Sequence, residues 1–223
     1  RFFLNTEDLH YGFWPIGKTA TIQNFSEAQE VHSKLIIDNI PDKTKRILDV
    51  GSGSGNLALK LINKEYQVDC VIPSKFLAEQ VQEKLGDRST IHICGFEQVD
   101  DIEKYDLILF SESFQYVKLG KSLEKITNML NIGGNLLICD FFKRDGVGKS
   151  PIGGGHGWQL FQEKISLHPL NLISDLDITE ETAPTIDLLA KFNTDVATPI
   201  VEMSSKYLID HYPKLSKLFR WKF

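Results

Sequence analysis

Sulfur is scarce in this chain: three cysteines, Cys70, Cys94 and Cys139, and two methionines among 223 residues. Each cysteine lies in an apolar, strand-like stretch. Buried reduced thiols explain them better than disulfides or metal ligands, and the expected compartment is cytoplasmic. Long apolar runs are missing too; no window of about 18 such residues occurs, so no membrane span is expected. No signal peptide is visible, and the chain begins at Arg1. Positive charge is not in excess. Twenty-five Lys and Arg stand against thirty Asp and Glu, for a net charge of −5 and a pI near 5.7, which argues against a nucleic-acid groove. No pair of histidines has metal-ligand spacing together with acids, so no metal is expected. Repeats and low-complexity tracts are absent. What remains is an ordinary globular composition, 42% apolar and 25% charged, long enough for one large domain with a full core.

The informative stretch is 46–56, Arg-Ile-Leu-Asp-Val-Gly-Ser-Gly-Ser-Gly-Asn. Ile47, Leu48 and Val50 fit a short buried strand. Gly51, Gly53 and Gly55 follow at alternate positions, and Leu57, Ala58, Leu61 and Ile62 then recur at helical spacing. A strand, a glycine turn and a helix make a pocket for a polar ligand, because the ligand can touch backbone without meeting a Cβ and the helix start offers free N–H groups. Two ligand classes compete, with a ligand-free turn as the third reading. The dinucleotide fingerprint is Gly-x-Gly-x-x-Gly. Here the pattern is Gly-x-Gly-x-Gly, and Asn56 holds the place of that last glycine.

The rest of the chain alternates strand-like and helix-like stretches. A helix is expected after Ser26, where Ser26 and Gln29 have capping-box spacing and Ala28, Val31, Leu35 and Ile36 mark one face; Pro41 ends it. Further strands are expected at 66–72, 90–94, 105–110 and 135–142. Helices are expected after Ser74, closed by Gly86, and over 119–130. This order predicts a parallel sheet with helices on both faces. Ligands of such sheets lie beyond the carboxyl ends of the strands.

With these elements placed, the glycine turn resembles the S-adenosylmethionine (SAM) loop of class I methyltransferases, in which a strand ending in Asp runs into Gly-x-Gly-x-Gly. The segment Leu9-His10-Tyr11-Gly12-Phe13-Trp14-Pro15 is similar to the aromatic arm that folds over the cofactor in the tocopherol and sarcosine methyltransferase group. Ser111-Glu112-Ser113-Phe114-Gln115 is similar to that group's "Glu-Ser-x-Glu-His" turn, with Gln115-Tyr116 replacing its Glu-His pair. The resemblance covers 9–142 well and 170–179 weakly. It implies a Rossmann-like α/β fold, the seven-stranded class I methyltransferase sheet, with a helical cap and a last strand not evident before Phe223. One domain is implied over 1–223: arm and first helix at 1–45, SAM-binding core at 46–142, and lid, sixth strand (170–178) and cap helices at 143–223.

It also implies roles. Asp49 attracts the ligand's ammonium or holds the loop formed by Gly51, Ser52, Gly53, Gly55 and Asn56. Tyr11 lies over the cofactor, and Trp14 is a flat side chain placed for the substrate. Most members carry an acid for the ribose after the second strand. Here Ile72 stands there, leaving Ser74 as a ribose candidate that is also a natural helix cap. Phe96 and Glu97, in a loop where the usual Asp is Gly95, inherit the adenine contacts. Ser111, Glu112 and Gln115 lie toward the methionyl end or the acceptor.

The stretch 143–157 is glycine-rich, as a substrate lid would be. Its His156 is the general-base candidate, since imidazole titrates near neutral pH; an exposed loop histidine is the alternative. The expected activity is SAM-dependent methyl transfer, leaving S-adenosyl-L-homocysteine, to a small and partly hydrophobic acceptor, with oxygen slightly preferred because of His156. An N- or C-methyltransferase, a nucleotide-dependent oxidoreductase and a silent SAM-binding domain are the alternatives.

Overall fold

The computed structural model describes residues 6–100, 102–144, 146 and 155–212. Its centre is a five-stranded parallel sheet of order β3-β2-β1-β4-β5, formed by β1 (Arg46–Val50), β2 (Gln67–Val71), β3 (Ile91–His92), β4 (Tyr105–Ser111) and β5 (Leu130–Cys139). Between them run α2 (Asn56–Ile62), α3 (Lys75–Leu85) and α4 (Leu119–Met129), with α1 (Phe25–Asp38) leading into the sheet. Central strands buried on both faces need continuous apolar runs, and β1 and β4 supply them. Ile47, Leu107 and Leu109 pack under α1, α2 and α3, through Ile36, Leu61 and Val81. Leu48, Ile108 and Phe110 pack on the other face against Leu123 and Ile126 of α4.

The helix and strand starts are local. Ser74 caps α3, its Oγ accepting from the Leu77 N–H at 3.4 Å, and Gly86 closes the helix. The expected capping box of α1 does not form. Asn24 stands at the N-cap, and Ser26 lies inside the first turn. Gln29 instead donates its side-chain amide to the carbonyls of Asp8 and His10 on the arm. The buried face of α1 is accordingly polar in its middle, with Gln29, His32 and Ser33, while Val31 is exposed.

Two strand expectations change. β5 starts earlier and stops at Cys139, because the Asp140 carboxylate takes the N–H groups of Gln115 and Phe141 and turns the chain away. Phe142–Lys143 (β6) then pairs with His156–Gly157 (β7) in a separate two-stranded ladder. The expected sixth strand at 170–178 is not a strand; Leu172 and Ile173 are exposed there. At its end, Asp177 accepts from both the N–H and the hydroxyl of Thr179 and pairs with Arg144 at 2.8 Å, a local turn that opens a helix instead. The helices that follow are α5 (Trp158–Ile165), α6 (Thr179–Phe192) and α7 (Thr198–His211), the last two joined by a π-turn at Asn193–Ala197.

The arm is clamped by α6. Thr185 Oγ1 accepts from the Gly12 N–H at 3.1 Å and the Trp14 indole N–H at 2.9 Å, and donates to the Gly12 carbonyl. Trp14 is sealed in a small core with Phe25, Ala28 and Leu188. Gly12 is required here, since a Cβ on it would lie 2.6 Å from that of Ala28.

Candidate functional site

A cavity of about 790 Å³ opens at the carboxyl ends of β1, β2 and β4. Its floor is the turn after β1. Gly51, Gly53 and Gly55 all hold positive φ, at 77°, 55° and 76°, a region that side chains with a Cβ avoid. A Cβ on Gly51 would lie 2.4 Å from that of Ser113, so β1 and the turn after β4 touch through bare backbone. The turn is tied by Ser52, whose Oγ donates to the Asp49 carbonyl and whose own carbonyl accepts from Gly55 N–H, both at 2.8 Å.

Asp49 is the electrostatic centre. It is 1% exposed, lines the cavity, and its Oδ2 has no hydrogen-bond partner. Burial pushes its carboxyl up to about 7, against the lowering effect of Ser52, since an ionised carboxylate with an unpartnered oxygen is costly in a dry site. The Ser111 hydroxyl, also on the wall, is likewise buried and unpartnered.

Glu112 stands opposite. Its backbone is left-handed, with φ of 54°, unusual for a residue other than glycine. The Glu112 N–H donates to the Cys139 carbonyl at 2.8 Å, which fixes the turn, and the side chain accepts the Tyr11 N–H at 2.7 Å. Burial raises this carboxyl to about 7 as well, against the lowering effect of the Tyr11 N–H. Asp140, just behind, is raised by burial too. Asp49 and Glu112 are thus two raised acids on the wall of the cavity, whose cations, Lys143 and Arg144, come from β6 and the residue after it. A cationic group bound beside the two acids would favour their ionised forms.

The expected site residues divide cleanly. Tyr11, Asp49, Gly51, Ser52, Gly53, Ser74, Ser111, Glu112 and Gln115 all line the cavity. Six others do not. Trp14 is 1% exposed in the arm's core. Gly55 packs its backbone on Val81, where a Cβ would come within 2.9 Å. Asn56 turns aside and accepts from Lys84 Nζ, which also holds the Ser54 carbonyl. Phe96 is a core ring set edge-on to Phe110 at 5.3 Å. Glu97 accepts the Lys118 N–H at 2.8 Å on the surface. His156 lies outside the cavity lining, with its Nε2 3.0 Å from the Phe114 carbonyl, so that nitrogen carries the proton and donates it there. Of the glycine-rich lid, 145 and 147–154 lie outside the described residues; Lys143, Arg144 and Gly155 line the cavity. Of the cap helices, α6 contributes Thr179 and Ile186, and α7 contributes nothing.

Several residues not singled out from the sequence also belong to the wall. Ile72, Pro73 and Leu77 form its apolar side, Tyr116, Phe141 and Phe142 the side toward β6. His10 and His32 stack at 4.8 Å behind Glu112, and His32 Nε2 is 3.9 Å from Glu112 Oε1. Burial holds both imidazoles below their usual range, His32 down to about 3. The structure thus gathers two histidines and an acid, contrary to the expectation from spacing, with donor atoms within 4.8 Å of one another. One first-row ion with bonds near 2 Å wants donors about 3–4 Å apart. The group is instead tied by hydrogen bonds, His10 to the Tyr11 carbonyl and to Ser33, His32 to Cys139 Sγ. No sequence period relates positions 10, 32 and 112; only the arm's return across α1 does.

Comparison with known proteins fits this geometry. Residues 48–136 match the family described as a methyltransferase domain. A malonyl-[acyl-carrier protein] O-methyltransferase of Ilyobacter polytropus is 28% identical over 149 residues, 57% of this chain and 56% of that protein. The chain spans about half the length of the curated relatives it matches. Among solved structures, geranyl diphosphate C-methyltransferase of Streptomyces coelicolor, in complex with Mg2+, geranyl diphosphate and S-adenosyl-L-homocysteine, superposes with a TM-score of 0.73 at 17% identity, covering 85% of this chain and 84% of that one. A cyclopropane synthase of Mycobacterium tuberculosis gives 0.74 at 18% identity, covering 96% and 85%. At such identities the likeness is one of fold.

Proposed function

We propose that this chain, a class I methyltransferase by its domain and fold, binds SAM in the cavity above the glycine turn and methylates a small-molecule acceptor. The observation that carries the reading is the partnerless Oδ2 of buried Asp49 on the wall of the cavity. Asp49 would hold the ammonium of the cofactor's amino-acid end, and the bare backbone of Gly51 and Gly53 would let that end lie close. The Ser111 hydroxyl offers a further hydrogen bond. Ile72, Pro73 and Leu77 give the nucleoside an apolar wall, and Ser74, whose oxygen caps α3, keeps its hydroxyl proton free for the ribose. SAM supplies a methyl group on a sulfonium, a leaving group already activated by positive charge.

The chain's own task is then to position, to exclude water and to accept a proton. Tyr11 and Leu9 bring the arm over the turn, with Leu9 3.5 Å from where a Gly53 Cβ would sit. Glu112 replaces His156 as the base. One of its oxygens is bound by the Tyr11 N–H, and its carboxyl titrates near neutral pH, where a general base is most useful. The position of Glu112 keeps an oxygen acceptor as the preferred reading, with the proton of a hydroxyl passing to its carboxylate. Tyr116, Phe141, Phe142 and Ile186 suit an acceptor with an apolar part.

The test is a screen of hydroxyl, carboxylate and amine acceptors with methyl-labelled SAM, reading the mass of the product and the atom that carries the label. Label on oxygen supports the reading, and label on nitrogen or carbon replaces the oxygen preference. Binding of SAM with no labelled product from any acceptor class assigns the chain to cofactor binding alone. Tighter binding of NAD than of SAM would refute the cofactor.

A further inference from the structure

Charge is unevenly placed on the wall of the cavity. Its acids, Asp8, Asp49 and Glu112, come from the arm, from β1 and from the turn after β4. Its lysine and arginine, Lys143 and Arg144, come from β6 and the residue after it. The two signs share one cavity without meeting. Among the described residues no acid pairs with Lys143, and Arg144 pairs with Asp177 alone, at 2.8 Å.

The local backbone decides where Lys143 stands. Phe141 lies edge-on to the Tyr11 ring at 5.0 Å, toward the arm. Phe142 goes the opposite way, against Trp158 at 5.1 Å and Phe161 at 4.8 Å. Side chains alternate along extended backbone, so Lys143 returns to the side of Phe141, and both line the cavity. Arg144 is only loosely held. Both it and Asp177 are exposed, and such a pair is worth little. One guanidinium nitrogen is engaged there, and the group carries further N–H donors for a ligand.

We propose that the methyl acceptor is an amphiphilic acid, whose anionic group, a carboxylate or a phosphate, is held by Lys143 and Arg144. Its apolar part has Tyr116, Phe141 and Ile186 on the same wall. A neutral acceptor would cover Lys143 and leave its charge unanswered, a cost that an anion removes. A cationic acceptor would meet two like charges. The proposal rests on the reading of the cavity as a methyl-transfer site; the anion subsite itself is built by β6 and needs no cofactor.

The experiment is calorimetric titration of octanoate, octyl phosphate and octanol into the full chain, with and without saturating S-adenosyl-L-homocysteine. At least one of the acids should bind about tenfold or more tighter than octanol, and the preferred acid tells carboxylate from phosphate. The advantage should shrink at about 0.5 M salt. Lys143→Met with Arg144→Met keeps the aliphatic stems and changes only exposed groups. It should abolish the advantage and leave octanol binding, SAM affinity and the unfolding temperature unchanged. Octanol binding as tightly as both acids, neither acid binding, or a preference that survives the double variant overturns the proposal. So does a double variant that loses SAM and keeps the acids, which assigns the two cations to the cofactor's carboxylate. Acids that bind through Lys143 and Arg144 to a chain that does not bind SAM uphold the subsite and refute the cofactor reading instead.

Discussion

Asp49 and Asp69 lie on neighbouring strands and show two fates of a buried acid. Asp69 is answered by Arg46 and by the Tyr105 hydroxyl, both at 2.9 Å, and by the Thr90 N–H. Asp49 keeps an empty oxygen at the cavity. With its carboxyl raised to about 7, the folded ligand-free protein binds this proton more tightly than the unfolded chain. Its contribution to stability is therefore full below about pH 4 and lost as pH rises toward 7. Asp49→Asn removes that cost. Thermal unfolding at pH 8 should show the ligand-free variant more stable, on the order of 2 kcal/mol, while calorimetry shows SAM binding weakened at least tenfold. A variant no more stable and equally tight would remove Asp49 from the account. Glu112 carries a similar upward shift to a different task. Glu112→Gln should lower kcat by about 10²–10⁴ and weaken SAM binding less than Asp49→Asn does, measured by initial rates and titration. The Tyr11 N–H stabilises the ionised form, so Tyr11→Pro, which deletes that donor, should move the acid limb of the kcat–pH profile to higher pH. Tyr11→Phe should leave the limb in place.

At the scale of elements, the arm is part of the site only because α6 and α1 hold it. Thr185 meets it at Gly12 and Trp14, and Gln29 meets it at Asp8 and His10. Thr185→Val keeps the shape and removes three hydrogen bonds, two of them from buried donors. Proteolysis should then cut the arm faster, and KM for SAM should rise several-fold with a smaller change in kcat, since the arm covers the cofactor before it places the base. The elements legible in the sequence were those fixed by local signals. The strand at 46–50, the glycine turn, the Ser74 cap and the Gly86 stop are each written within a few residues. The box expected at Ser26 failed because Gln29 found better partners on the arm, a contact at a distance of nineteen or more positions. The strand expected at 170–178 failed because Asp177 turned the chain locally into α6.

For the molecule as a whole, the fold class was readable because a parallel sheet demands alternating apolar strands and amphipathic helices, and the chain supplies them in order. The expected residues that line the cavity include those where turn and strand end coincide, Asp49, Gly51, Gly53 and Ser111. Trp14, Asn56, Phe96, Glu97 and His156 lie outside its lining; orientation is set by tertiary packing that spacing does not record. The cluster of His10, His32 and Glu112 was invisible for the same reason. Asp49 and Glu112, both raised to about 7 by burial, share the wall of the cavity proposed to take the cationic cofactor. Calorimetric titration with SAM at pH 7, in two buffers of different ionisation enthalpy, measures this directly. Binding is expected with release of about one proton, as the carboxyls ionise against the incoming charge. Absence of binding, or binding with proton uptake, would contradict it.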